Sequence, residues 1–237
     1  MMINKKMFYA GMGLVSACAS LILVGCDLND ADTAQPAIPV SFVSLYNASP
    51  DAPALDIEVD NRQINSYPFG YADYTGYLQF YTGNREIRFT PHGANNVVAD
   101  TTVTLVDSQA YSIFVADEYQ KASIVTLADS AANAPASGKA MVRVINLSPD
   151  LAPASLKEKN AAINIATNLA FKKASGFAEV DAKSYSFQIT TAEASEPVLS
   201  LDDITLREGG FYTVVVRGYH TPASGDTRVL SAEVVTN

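Results

Sequence analysis

Apolar and polar residues alternate one by one along much of this chain. In ALDIEVD, Ala54 to Asp60, Leu55, Ile57 and Val59 are separated by Asp56, Glu58 and Asp60. A period of two puts the aliphatic residues on one face and the carboxylates on the other, which predicts a half-buried strand. REIRFT, Arg85 to Thr90, predicts another, with Ile87 and Phe89 turned inward, and the Gly83-Asn84 pair before it predicts a hairpin turn. YTVVVRG, Tyr212 to Gly218, is apolar on both faces, the pattern of a central strand. Turn residues recur about every 8–12 positions. The one stretch with a helical aspect, SLKEKNAAINIATNLAF from Ser155 to Phe171, is weakened by its asparagines and β-branched residues. The pattern predicts an all-β chain.

It is also written twice. NASPDAP, Asn47 to Pro53, returns as NLSPDLAP, Asn146 to Pro153, so Ser49-Pro50-Asp51 reappears as Ser148-Pro149-Asp150 at a lag of 99. Gly76-Tyr77 matches Gly176-Phe177 at a lag of 100, and IRFT, Ile87 to Thr90, lies over FQIT, Phe187 to Thr190. Leu105 and Tyr111 match Leu206 and Tyr212 at a lag of 101. A unit of about 100 residues is an ordinary domain length. Between the copies, ADSAANAPASGK, Ala128 to Lys139, has the small, polar, Pro-bearing composition of a linker. The expected organisation is two tandem immunoglobulin-like β-sandwich domains, 39–127 and 139–237, joined by a linker at 128–138. In this frame Ser-Pro-Asp punctuates the fold. Pro50 presets φ for a turn, Ser49 or Asp51 bonds nearby backbone, and Pro53 delays pairing until the next strand.

VSFVSLYNASPDAPALDIEVDN, then FGYADYTGYL, IRFTPHG and LVDSQAYSIFV, resembles the bacterial and archaeal domain-of-unknown-function family 4397. The resemblance implies an exported, often lipid-anchored protein with one or more β-sandwich copies, and it carries over no activity. The first copy matches along almost its whole length. The second departs from it: LSPDLAPASLKEKN lacks the apolar–acidic alternation, and Thr191 stands where Pro91 does.

The N-terminus has a different pattern. Lys5 and Lys6 precede a run without charge from Met7 to Gly25, the n-region and h-region of an export signal. The run ends in LVGC, Leu23 to Cys26, which resembles a bacterial lipobox and implies cleavage before Cys26 and lipidation of that residue. Residues 1–25 are thus read as signal peptide and 26–38 as a lipidated tether, acidic and rich in Ala and Pro. An uncleaved membrane helix is the other reading of the run, and both place the remaining chain outside the cytoplasm. Asp27 resembles an inner-membrane retention signal, while acidic residues after the cysteine accompany surface display in other lineages. Periplasmic side and cell surface therefore both stay open. Apart from Cys18 and Cys26 the chain has no cysteine, so no disulfide, thiol nucleophile or Cys metal site is expected in the mature protein. Loss of the two signal lysines leaves 14 basic against 25 acidic residues, a net charge of about −11. That balance argues against nucleic acid as a partner.

Catalytic groups are sparse. His92 in TPHG and His220 in YHTP both follow strands in turn contexts, and no nucleophile elbow, phosphate loop or HExxH is present. A hydrolase with an unmarked site is the least favoured reading, and no enzyme activity or cofactor is expected. Asp51, Asp56, Glu58 and Asp60 offer four oxygen ligands within ten residues, yet three alternate along a strand as a row rather than a cage, and the second copy has Lys157 and Lys159 there. A solvated strand face accounts for them, and no metal is expected.

The binding signal is aromatic: SYPFGYADYTGYLQFYTG, Ser66 to Gly83, carries seven tyrosines and phenylalanines. Phe69 and Tyr77 have counterparts in the second copy and are assigned to the core. Tyr67, Tyr71 and Tyr74 have none and are the candidate binding residues. They offer rigid amphipathic area to an envelope protein or, by stacking, to a glycan; alternatively they pack against the neighbouring domain or the sandwich edge. The expected function is a non-enzymatic binding or structural module held to the membrane by N-terminal lipid, with a carbohydrate-binding module as the alternative.

Overall fold

The computed structural model describes residues 37–129, 133–159, 161 and 164–237. The signal, Cys26 and the tether up to residue 36 lie outside the described residues. The first copy forms β1 (Val40–Asn47), β2 (Leu55–Val59), β3 (Arg62–Gln63), β4 (Tyr74–Tyr81), β5 (Gly83–Pro91), β6 (Ala99–Leu105), β7 (Ala110–Ala116) and β8 (Ser123–Ala128). The second forms β9 (Lys139–Asn146), β10 (Ala154–Glu158), β11 (Asn164–Leu169), β12 (Lys173–Ala174), β13 (Ala178–Asp181), β14 (Ser184–Thr191), β15 (Leu199–Thr205), β16 (Phe211–Arg217) and β17 (Ser231–Thr236). The ambiguous stretch from Ser155 yields β10 and β11.

The strands make four sheets. The first sandwich pairs an outer sheet, β3-β2-β5-β6, with an inner sheet, β4-β1-β7-β8. The second repeats the arrangement with β11-β10-β14-β15 outside and β12-β9-β16-β17 inside, β13 also lying on β9. In each inner sheet the first strand runs parallel to its long-range neighbour, β1 to β7 and β9 to β16, and the remaining pairings are antiparallel.

Period-two alternation decides which side chains fill each core. Leu55, Ile57, Ile87 and Phe89 from the outer sheet meet Val43, Leu45, Ile113 and Val115 from the inner sheet, all at 1% exposure or less. Each such side chain contributes about 1.5–3 kcal/mol of burial. Val144, Leu156, Phe187, Ile189, Val214 and Val216 do the same in the second sandwich.

The opposite faces of the inner sheets are buried as well. Tyr46, Phe114, Ile145, Leu147 and Val215 form a third apolar cluster between them, with Val235 and part of Tyr74. The order through the molecule is outer, inner, inner, outer, and residues Ile38–Asn237 form one compact unit. This explains the strand that is apolar on both faces. In β16, Val214 and Val216 enter the second core while Val215 enters the seam.

One turn differs from its expected form. Gly83-Asn84 does not close a hairpin, because β4 and β5 belong to different sheets. Gly83, at φ 95°, redirects the chain from the inner to the outer sheet, and Arg85 Nη2 donates to the Thr82 carbonyl at 2.8 Å. The I′-type hairpin of this copy is Asp60-Asn61, with φ of 49° and 63°, between β2 and β3.

Candidate functional site

The three candidate tyrosines are not brought together into one surface. Tyr67 sits on a bend and is 84% exposed. Tyr74 opens β4, donates from its hydroxyl to the Thr236 carbonyl of β17 at 3.0 Å, and lies with its ring 6.1 Å from that of Tyr46. Tyr71 accepts a long bond from Arg217 Nη1 at 3.4 Å, and the guanidinium lies 5.2 Å from its ring centre. Two of the three thus join the sandwiches. Phe69 is a core residue at 6% exposure. Tyr77 is not: its hydroxyl donates to Asp129 Oδ2 at 2.5 Å, so it faces the seam. The reason is parity, since Tyr77 lies on the face of β4 opposite the one from which its neighbour Leu78 enters the core.

Around Arg217 the seam is polar. Its Nε donates to the Tyr46 hydroxyl at 2.7 Å, and that hydroxyl donates to Glu233 Oε2 at 2.8 Å. Burial pushes the Tyr46 hydroxyl well above the usual tyrosine range, with Arg217 opposing and Glu233 reinforcing.

A second network lies deeper. Arg143 of β9 and Asp129, just past β8, are ion-paired with each side chain 3% exposed. Arg143 Nε donates to Thr213 Oγ1 at 2.8 Å and Nη2 to Ser112 Oγ at 3.3 Å, while Ser112 donates to Asp129 Oδ2 at 2.8 Å. Asn237 Nδ2 donates to the Tyr77 hydroxyl and to Ser112, each at 3.2 Å. Burial, then the Asp129 charge, hold the Tyr77 hydroxyl in its protonated form. The guanidinium also stands 4.6 Å from the Phe177 ring centre. Asp129 falls in the segment read as a linker; its composition gave no sign that its second residue anchors the seam.

The two Ser-Pro-Asp turns meet at one end of the seam. Asn47 and Asn146 hold them alike, each Nδ2 donating to a carbonyl (Phe69 and Leu169) and each Oδ1 accepting from the serine N–H two residues on. Asp51 accepts from the Tyr119 N–H at 2.7 Å, and Asp150 from the His220 and Thr221 N–H groups, both at 2.7 Å. The aspartate therefore clamps the loop that follows β7 or β16. Arg228 Nη1 reaches across to the Pro50 carbonyl at 3.0 Å, and Lys172 to Asp117 at 2.7 Å. The turns line a cleft of about 490 Å³ with Tyr219, whose hydroxyl is pushed up to about 12 by burial and then by the Asp51 and Glu118 charges.

His92 Nδ1 lies 2.8 Å from Asp56 Oδ1, its side chain 55% exposed. Burial works to raise the Asp56 pKa, but the bonds from His92 and the Gly93 N–H outweigh it and hold the carboxyl below its ordinary range. His220 contributes a backbone N–H to Asp150. Of the four acids weighed for calcium, Asp51 binds a loop, Asp56 binds His92, Glu58 pairs with Arg88 and Asp60 with Arg85. Among the described residues no group of three or more His, Cys, Asp or Glu is placed to hold a metal ion, and no helix is long and apolar enough to cross a membrane.

The family model described as "Domain of unknown function (DUF4397)" matches residues 41–155, the first sandwich and the start of the second. No curated protein matches the chain. Among solved structures, the C-terminal domain of AlgF from P. aeruginosa is similar at 22% identity and a TM-score of 0.32, covering 42% of this chain and 99% of its own. A structure entitled "Alpha-glucan binding by a streptococcal virulence factor" is similar at 12% identity and a TM-score of 0.24, covering 74% and 92%. The family CBM26 module of Eubacterium rectale Amy13K, in complex with maltoheptaose, is similar at 10% identity and a TM-score of 0.26, covering 84% and 97%.

Proposed function

We propose that this chain is an exported, lipid-anchored protein of the bacterial cell envelope, serving as a non-enzymatic binding or structural module on the periplasmic side or the cell surface. What carries the reading is the union of an LVGC signal end with a body whose two sandwiches share one buried seam. A short acidic tether after Cys26 joins that body to the lipid. The proposed domain bounds stay at 39–127 and 139–237. Metabolic labelling with an alkyne fatty acid, followed by membrane fractionation, tests the anchor. Label and membrane association are expected in the wild type and lost together in Cys26→Ser; an unlabelled wild type overturns the anchor. Envelope pull-down with the lipidated protein then tests the module, and recovery of the same material by an unrelated lipoprotein overturns it.

A second reading, carbohydrate binding, is favoured by one observation: Tyr67 and Tyr81 present their rings to solvent at 84% and 62% exposure. Tyr71 and Tyr74 belong to the seam, so a stacking platform has to be sought on the exposed rings.

A further inference from the structure

Each sandwich is open along one side, where the chain crosses from inner to outer sheet. In the second copy this opening is a groove of about 420 Å³, crossed by Lys139–Asp181 at 2.7 Å and Lys183–Glu158 at 2.8 Å. In the first copy the corresponding groove is about 440 Å³. Register fixes the correspondence. Tyr81 faces Val40 as Asp181 faces Lys139, and Val59 faces Ile87 as Glu158 faces Phe187. Both ion pairs are therefore absent from the first copy by sequence. Aspartate has become Tyr81 and glutamate has become Val59.

Different chemistry stands in their place. Val59, Leu78 and Phe80 give the groove an apolar floor. Ile64 and Tyr81 add apolar surface at 37% and 62% exposure. Arg62 is exposed and makes no ion pair among the described residues. Arg85 is anchored by Asp60 at 2.7 Å and the Thr82 carbonyl at 2.8 Å, yet its Nε is the one buried side-chain nitrogen or oxygen among the described residues that lacks a hydrogen-bond partner. A buried donor left unpaired keeps a desolvation cost that no acceptor in the protein offsets. With two guanidiniums against the Asp60 carboxylate, the groove carries net positive charge on a chain with 25 acidic and 16 basic residues. An exposed aromatic ring offers a face to the C–H side of a sugar, and a free guanidinium fork fits a carboxylate.

We propose that this groove binds a carboxylate-bearing saccharide, its acid group held by Arg62 beside Arg85 and a sugar ring laid on Tyr81. The proposal rests on the binding-module reading and names its ligand class. Calorimetry on the full chain in detergent tests it, with tetramers of galacturonic and glucuronic acid, their methyl esters, and tetraglutamate as probes. The expected result is binding of at least one acidic tetramer, tenfold or more weaker for its methyl ester and for tetraglutamate, and weakening as salt rises. Tyr81→Ala and Arg62→Gln each lower the affinity tenfold or more with unchanged thermal unfolding, and Val97→Ala, an exposed apolar residue outside the groove, leaves it as in wild type. Absence of binding to both acids, equal affinity for the methyl ester or tetraglutamate, or indifference to Tyr81→Ala overturns the proposal. A chain that is lipidated and captures envelope material, yet ignores acidic sugars, overturns the ligand class and leaves the module standing. An unlipidated chain that binds them overturns the anchor and leaves the module and its ligand class standing.

Discussion

The seam makes its sharpest prediction at Asp129. Its carboxylate is the counter-ion of Arg143, and both side chains are 3% exposed. Asp129→Ala leaves the guanidinium with Thr213, Ser112 and the Ala128 carbonyl but no charge partner. Breaking a buried pair from one side costs about 3–5 kcal/mol, because desolvation of the surviving ion is no longer compensated. In a unit of this size each kcal/mol moves the melting temperature by roughly 2–4 °C, so a fall of roughly 6–20 °C is expected. Circular dichroism melts of the full chain with and without the substitution read it. The companion double variant, Asp129→Leu with Arg143→Met, removes both ions and fills the same volume, and should recover most of the loss. A single-variant shift under about 2 °C, equivalent to about 1 kcal/mol or less, refutes the reasoning. So does a double variant as unstable as the single, because the loss would then lie in packing rather than in an orphaned charge.

Four further outcomes follow from the same geometry. Tyr74→Ala should cost about 2–4 kcal/mol in urea unfolding by opening a hole beside Tyr46, whereas Tyr67→Ala should stay within about 0.5 kcal/mol of wild type. Ala72 sits at φ 70°, where a Cβ is disfavoured, so Ala72→Gly should stabilise by about 0.5–1 kcal/mol, and a loss of stability would contradict this. Asp56 has a depressed pKa in the fold, so its contribution is full above the ordinary carboxylate range and disappears as pH falls through the folded value. The stability gap between wild type and Asp56→Asn should accordingly narrow between about pH 5 and pH 3, and a gap flat in pH would reject the assignment. Asp150→Ala removes acceptors for two backbone N–H groups and Asp51→Ala for one, so hydrogen exchange at 220–221 should rise more than at Tyr119.

Strands were legible in the sequence wherever one face met a core and the other met water. ALDIEVD and REIRFT carried that contrast and gave Leu55, Ile57, Ile87 and Phe89 their inward side. The two Asn-x-Ser-Pro-Asp turns stood out in the sequence, and they do the same work: asparagine holds the turn and aspartate holds a distant loop. The seam was not legible. Tyr46, Phe114 and Val215 point away from their own sandwich cores, and a period of two cannot say whether such a face meets water or a second sheet. For the same reason the sequence left open whether Tyr71 and Tyr74 meet a ligand or the neighbouring sandwich, and their contacts run to the sandwich. Gly83-Asn84 was misleading because a hairpin and a sheet-to-sheet crossing both require a residue at positive φ, and only the partner strands distinguish them. Arg143 and Asp129 have no local signature, since each is explained by a residue 14 positions away.

The divergence between the copies is what makes the seam specific. By register, Ser44 beside Ser112 in the first inner sheet corresponds to Arg143 beside Thr213 in the second. Tyr46 beside Phe114 corresponds to Ile145 beside Val215 in the same way. Two first sandwiches placed face to face would bring serine to serine, leaving Asp129 buried without a cation. Two second sandwiches would set Arg143 against Thr213 of the other copy, a buried guanidinium with no carboxylate beside it. Only the unlike pair satisfies every charge. A contact face that the fold itself would allow to self-associate is thus restricted to one partner, the other half of the same chain, and the cost of the wrong pairing matters as much as the gain of the right one. That restriction leaves the outer sheets, the end cleft and the open grooves as the surfaces the seam does not use.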